Sequence, residues 1–206
     1  MNFGFCNWRV RISLSLVVVA WVGAVGLGMS WLARYSETPG RSDSAPVDWP
    51  ANSQLARHGH LPTLVIFAHP RCPCTRATIG ELALIMAACP DKLQAYVLFS
   101  KPADAAADWE QTDLWRSAEA IPGVEVMVDP EDVEARRFHA STSGQAMLFD
   151  PAGKLLFSGG ITKARGHSGD NLGRDAIVER IRGQTMELAR TPVFGCPIFH
   201  EDNESL

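Results

Sequence analysis

The chain has 206 residues, 46% of them hydrophobic and 20% charged, with a formal net charge of −4. The first 34 residues hold three arginines and no acid, so the rest of the chain carries −7. An acidic body of this size argues against nucleic-acid binding and suits one ordinary domain with additions.

The first expected element is an apolar span. Ile12 to Ala33 contains no charged residue and is mostly Val, Leu, Ala, Gly and Trp. A bilayer-crossing helix needs roughly 20 such residues. Trp8 and Trp31 sit near its ends, where indole rings favour the headgroup region. Arg9 and Arg11 precede the span, which places the N-terminus in the cytoplasm and everything after Ala33 outside it. Arg34 and Arg41, on the far side, weaken that bias. Ala24, Gly26 and Gly28 offer small residues to a signal peptidase, but the apolar region exceeds the roughly 7–15 residues of a signal peptide. Residues 1–34 are therefore expected to stay as an anchor.

Residues 35–54 are rich in Ser, Pro, Gly and Asp and show no apolar period. They are expected to form a flexible tether with a reach on the order of 25 Å. A domain over 55–190 follows, then an extension over 191–206 that contains Cys196.

Within the domain, Leu64–Phe67 reads as a buried strand. It runs into Cys72 and Cys74, and a helical stripe of Ile79, Leu82, Ile85 and Met86 follows until Pro90. Leu93–Ser100 is the second strand. Ala103 to Ala120 is Ala-rich and expected to be helical in part. Val124, Val126 and Val128 alternate as a third strand. Asp129 is expected to cap a short helix with Pro130 at its first position and Arg136 and Arg137 in its last turn. Ala146–Phe149 and Leu155–Phe157 flank the turn Asp150–Gly153 as a hairpin. Arg174 to Arg190 is expected to be the last helix, with Ile177, Ile181 and Leu188 on one side despite Gly183.

The chemistry lies in the cysteines: Cys6, Cys72, Cys74, Cys89 and Cys196. Cys6 falls on the cytoplasmic side of the span. The other four fall in an oxidising space where disulfides persist. Cys72 and Cys74 stand where a strand passes into a helix. Amide donors and the helix dipole at such a place stabilise a thiolate, the form that attacks disulfides and binds soft metals.

Strand, helix, strand, helix, strand, short helix, hairpin, helix resembles the thioredoxin fold, and within it the membrane-tethered thiol-disulfide proteins of the TlpA and ResA type. The resemblance covers about Leu61 to Leu188. It rests on Leu64-Val-Ile-Phe67 with the cysteine motif, Val126-Met-Val-Asp129, and Ala146-Met-Leu-Phe-Asp150 with Gly153. Phe67-Ala-His-Pro-Arg-Cys-Pro-Cys74 and Leu156-Phe-Ser-Gly-Gly-Ile-Thr162 also look like RedB-type redox proteins. The resemblance implies a three-layer α/β/α sandwich with a mixed central sheet, preceded by one transmembrane helix. It also implies a periplasmic domain on a bacterial inner membrane, no organic cofactor, and two kinds of partner: a thiol or disulfide protein outside the cytoplasm and a redox donor. Two features depart from the family. Cys72-Pro73-Cys74 replaces Cys-x-x-Cys, with Thr75 at the usual second position. Gly144, within Thr142-Ser-Gly-Gln145, falls where the family has a cis-proline.

Cys72 is the expected nucleophile and Cys74 the resolving thiol, with His69, Arg71 and Arg76 near in sequence to hold negative charge. A disulfide across Pro73 closes a tight ring, and strain makes such a bond easier to reduce. A high, oxidising potential follows, suited to an oxidant or isomerase. Cys89 reads as a small apolar residue closing a helix. Cys196 is expected to be a buried thiol or a staple to Cys89; the alternative is a third redox thiol at the site. The glycine-rich loop 159–173, with His167, is a candidate wall of the site.

A different class is copper handling, as in thioredoxin-fold Sco-type proteins, with Cu(I) on Cys72, Cys74 and either His69 or His167. Gly144 would leave room for a metal, but the Cys-x-x-x-Cys spacing of that group is missing. Zinc fits less well without a second closely spaced ligand pair. A peroxidase using Cys72 and Thr75 lacks the usual Thr spacing before the cysteine.

Overall fold

The computed structural model describes residues 4–57, 59–184 and 188–199, with side chains from Arg11 onward. The chain divides into two units, Met1–Glu37 and Thr38–Leu206. The first is one helix, α1 (Gly4–Glu37). Leu14, Val19, Trp21, Leu27 and Trp31 point to different sides of it, and each is at least 64% exposed. A helix apolar all round has no polar face to offer water. Its part from Arg11 to Glu37, 27 residues, is long and apolar enough to cross a membrane. The hydroxyls of Ser15 and Ser30 donate to the carbonyls of Arg11 and Gly26, each at 2.9 Å, so neither needs an outside partner.

The second unit is built on five strands: β1 (Thr63–Ala68), β2 (Gln94–Lys101), β3 (Val124–Pro130), β4 (Gln145–Phe149) and β5 (Leu155–Gly160). Their order is β3-β2-β1-β4-β5. The pairs β1/β2 and β2/β3 are parallel; β1/β4 and β4/β5 are antiparallel. The helices are α2 (Pro73–Ala88), α3 (Asp113–Glu119), α4 (Val133–Arg137) and α5 (Leu172–Ile181). This is the thioredoxin-like sandwich that the element order implied.

Both faces of the sheet are covered, so its central strands are apolar on both sides. Leu64, Ile66, Val97, Phe99 and Leu148 face α2, α3 and α5 and pack with Leu82, Ile85, Leu114 and Ile177. Val65, Phe67, Leu98, Met147 and Phe149 face the other way and pack with Ala135 and Phe138 around α4.

The Ala-rich stretch from 103 is helical in part, as expected: Asp113–Glu119 is helix, where Thr112 caps by accepting from the Trp115 amide, and the residues before it form turns. Three local expectations change. Pro130 ends β3 rather than starting α4. Asp129 still serves that helix, from a distance: its carboxylate accepts from the amides of Glu134 and Ala135, both at 2.8 Å. The last helix stops at Ile181 because Gly183 turns at φ +76. Residues 185–187 of the expected helix lie outside the described residues, and Leu188 packs against the core from a non-helical stretch.

The third change concerns residues 35–54. Tyr35 to Glu37 complete α1, and residues from Gly40 on are fastened to the domain. Gly40 donates to the Val193 carbonyl (2.8 Å), Trp49 to Gly153 (2.7 Å), and Val47 accepts from Leu155 (2.8 Å). The ring of Trp49 stands edge-on to Phe138 and Phe149, at 5.1 Å from each. A few apolar anchors, Ala45, Trp49 and Leu55, decide the matter within a stretch whose average composition is polar.

Beyond β5 the chain doubles back along the sheet edge. Ser158 donates to the Ala189 carbonyl (3.0 Å), and Thr191 Oγ1 donates to the Gly160 carbonyl (2.7 Å). Gly159 and Gly160 make this possible, since a methyl on either would overlap residues 191–193.

Trp49→Ala should lower stability by roughly 2–4 kcal/mol, as large-to-small core changes do. It should also open residues 38–57 to limited proteolysis, which should spare the same residues in the native protein. Equal cleavage of both proteins would restore the flexible tether.

Candidate functional site

Four segments meet at the head of α2. β1 delivers the chain to His69, and a turn closed by Cys72 N–H donating to the His69 carbonyl (3.1 Å) leads into the helix. Cys72 is the N-cap, with extended backbone, and Pro73 takes the first helical position where no amide partner is required. The second segment is the loop before β4. Ser143 Oγ accepts from the His69 amide (2.9 Å) and shares a 2.9 Å hydrogen bond with Thr75 Oγ1. Thr75 Oγ1 also donates to the His69 carbonyl (3.2 Å). Thr75 is thus a clamp between turn, helix and loop. Gly144, at φ +90, donates to the Phe67 carbonyl (2.7 Å), and a methyl there would press on Thr78 Oγ1.

The third segment is 193–199. Ser143 N–H donates to the Cys196 carbonyl (2.8 Å), Ile198 N–H donates to the Ser141 carbonyl (3.0 Å), and Thr142 bridges Pro197 in antiparallel fashion. Gly195 lies so close to the Ser143 carbonyl that no side chain fits. This pairing carries Cys196 to Cys72, not to Cys89. Cys89 caps the far end of the 16-residue helix α2, buried in the core. About 25 Å of helix separates the two caps at 1.5 Å per residue, far beyond disulfide reach. The expected staple is therefore replaced by a cluster of Cys72, Cys74 and Cys196.

The fourth segment is the glycine-rich loop. Glu81, fully buried on α2, accepts from Gly169 N (2.7 Å), Asn171 Nδ2 (3.2 Å) and Arg174 Nη1 (2.8 Å) and so fixes the loop to the helix. The loop then sends Arg165 toward the cluster, where its charge favours the Cys74 thiolate and its guanidinium donates to the Gly195 carbonyl (2.6 Å). The positive charge at the sulfurs comes from here. Of the two arginines expected nearby, Arg71 lies over the Trp109 ring at 3.9 Å and Arg76 pairs with Asp113. His69 Nδ1 accepts from the Arg71 amide, and its ring is edge-on to Trp109. His167 is exposed, its Nδ1 within 3.2 Å of the Arg165 carbonyl. Among the described residues, no three His, Cys, Asp or Glu side chains gather as a metal site.

The three sulfurs have different electrostatic surroundings. Burial works to raise the Cys72 thiol, but hydrogen bonds from the Cys196 thiol and the amides of Cys196, Cys74 and Thr75 outweigh it. Cys72 is held below the ordinary thiol value. Cys74 is raised by burial and by the neighbouring Cys72 sulfur, with Arg165 opposing. Cys196 is pushed up to about 12 by burial and by its hydrogen bond and charge repulsion with Cys72. The surroundings favour the thiolate at Cys72 and the thiol at Cys74 and Cys196. Beside them opens a cleft of about 830 Å³, lined by Arg41, His69, Arg136, Thr142, Arg165 and Cys196 among others.

Arg165 and Ser143 are the site residues that sequence reasoning missed. The glycine-rich loop was a signal for the first; nothing in the local sequence marks Ser143.

No protein-family model matches the chain, and no curated protein matches it significantly in sequence. Solved structures do match in fold. An uncharacterized conserved protein from Geobacillus kaustophilus aligns at 15% identity and TM-score 0.58, over 81% of this chain and 94% of that one. A hypothetical protein from Sinorhizobium meliloti 1021 aligns at 21% identity and TM-score 0.55, over 78% and 93%. A secreted Mycobacterium tuberculosis disulfide oxidoreductase aligns at 15% identity and TM-score 0.43, over 61% and 82%. At these identities the likeness is one of fold.

Cys196→Ala removes a hydrogen-bond donor to Cys72 and should raise its pKa. The pH dependence of Cys72 carbamidomethylation, read by peptide mass spectrometry, should inflect below the ordinary thiol range in the native protein and shift upward in the variant. Superimposable curves would count against the donor role.

Proposed function

We propose that this chain is a membrane-anchored thiol-disulfide oxidoreductase acting outside the cytoplasm. The observation that carries this reading is the ring of donors around Cys72, which favours a thiolate in a site that otherwise excludes water. A thiolate is the attacking and the departing species in disulfide exchange. Cys72 is the sulfur whose bonds are made and broken, and Cys74, beside it in the motif, resolves the disulfide that Cys72 enters. Arg165 steadies negative charge on Cys74 when that thiol gives up its proton. Thr75, Ser143 and Gly144 hold the turn, and Pro73 sets the start of the helix. His69 shapes the mouth of the cleft.

The anchor is α1, with Arg9 and Arg11 on the cytoplasmic side and the domain in the periplasm of a bacterial inner membrane. This topology puts the sulfurs where disulfide traffic occurs. The partners are a thiol or disulfide protein in that space and a redox donor. The TlpA, ResA and RedB resemblance is consistent with this setting. Copper delivery, the alternative, would place Cu(I) on Cys72 and Cys74 with His69 or His167 as the third ligand.

The test uses the full chain in detergent with glutathione disulfide as the probe. Cys72→Ser should slow exchange by about a hundredfold or more, as loss of a nucleophile does. Cys74→Ser should leave Cys72 trapped in a disulfide with another thiol. Exchange that survives Cys72→Ser unchanged would end this reading, and stoichiometric tight Cu(I) binding without exchange would replace it with metal handling.

A further inference from the structure

Cys72 is nearly sealed, at 1% exposure, whereas Cys196 is half-buried and lines the cleft; neither Cys72 nor Cys74 lines it. A sulfur approaching through the cleft meets Cys196 first. Nor is Cys196 there by chance of a loose tail. Main-chain pairing of 196–198 with 141–143, the tight seat of Gly195, the Arg165 bond to the Gly195 carbonyl and buried Val193, Phe194 and Ile198 hold it in register. Ser143, which donates to the Cys196 carbonyl (2.8 Å), is itself bound to Thr75 Oγ1 (2.9 Å) and the His69 amide (2.9 Å), so the Cys196 segment sits against the turn that holds Cys72.

We propose that Cys196 is the outer sulfur of a three-thiol relay: it forms a disulfide with Cys72, exchanges with the partner through the cleft, and is released from Cys72 by Cys74. The proposal rests on the thiol-disulfide reading above and adds the order in which the sulfurs act.

In the oxidising direction a partner thiolate attacks Cys196 Sγ. The Cys72–Cys196 bond breaks, and its electron pair leaves on Cys72, whose hydrogen-bond donors receive the charge. The partner is now bound to Cys196. A second partner thiolate attacks the partner's own sulfur and displaces Cys196, which takes up a proton. Two partner thiols have become one disulfide, and one protein disulfide has become two thiols. A disulfide-bearing donor recharges the pair by the same steps in reverse. When Cys74 loses its proton it attacks Cys72 Sγ, frees Cys196 and carries the oxidation inward as a Cys72–Cys74 bond. The partner's attack on Cys196 suits the rule that the better leaving group, here Cys72, is the thiol of lower pKa and that the accessible sulfur is the one attacked.

The full chain in detergent is treated with glutathione disulfide, acid-quenched, blocked with N-ethylmaleimide and peptide-mapped. Cys74→Ser should accumulate a Cys72–Cys196 cross-link, and the native protein should pass through the same cross-link at early times. Reduced glutathione added to the cross-linked protein should first appear on Cys196. Cys196→Ser should slow exchange by about tenfold or more, since the partner must then reach a sealed sulfur. Absence of the cross-link in both proteins, or a first adduct on Cys72, overturns the relay. If Cys72 still exchanges in that case, the broader reading stands; if neither Cys72 nor Cys196 takes up glutathione, both fall. Mapping on the native protein keeps the test valid even if a variant misfolds.

Discussion

A sulfur removed from water ionises only if hydrogen bonds replace the water it has lost. At Cys72 the replacements come from two places remote in sequence: the first turn of α2, through the amides of Cys74 and Thr75, and the segment around Cys196, through its amide and thiol. The helix alone provides part of this set, as any helix start does. What distinguishes this site is that a segment more than a hundred residues away completes it. Much of the surrounding structure can be understood as the means of keeping that segment in place.

The means are mostly close backbone approaches and buried polar clamps. Gly195 permits main chain to lie on main chain, and Gly144 lets the loop before β4 settle on α2 beside Thr78. Ser143 holds the His69 turn with its side chain and the Cys196 carbonyl with its amide. On the other flank Glu81 secures the loop that carries Arg165. A buried carboxylate without partners would be costly, and three donors with an arginine make this one tenable. Loss of one partner leaves the other charge buried, so the network acts as a unit.

The fold was legible because its signals are local. Alternating apolar strands, the stripe on α2 and the Asp150–Gly153 turn each declare themselves within ten or so residues. Cys72 and Cys74 were legible for the same reason. The misreadings arose where a long-range contact overrides local pattern. Asp129 looked like a helix cap and does cap, but across four residues and from the end of a strand. Residues 35–54 looked slack because composition averages over Trp49, whose ring reaches Phe138 and Phe149. Arg165 and Cys196 come to the sulfurs through loop paths that no periodicity encodes. Arg71 and Arg76, nearer in sequence, are drawn away by Trp109 and Asp113.

The return of residues 189–191 along β5 bears on how copies of this chain meet one another. A bare strand at the border of a sheet is a template on which a neighbour's strand can dock and start an aggregate. Here that border already has a covering from its own chain. The opposite border, β3, ends in a proline and carries Glu125. Copies at high local density thus find no welcoming ribbon on either flank.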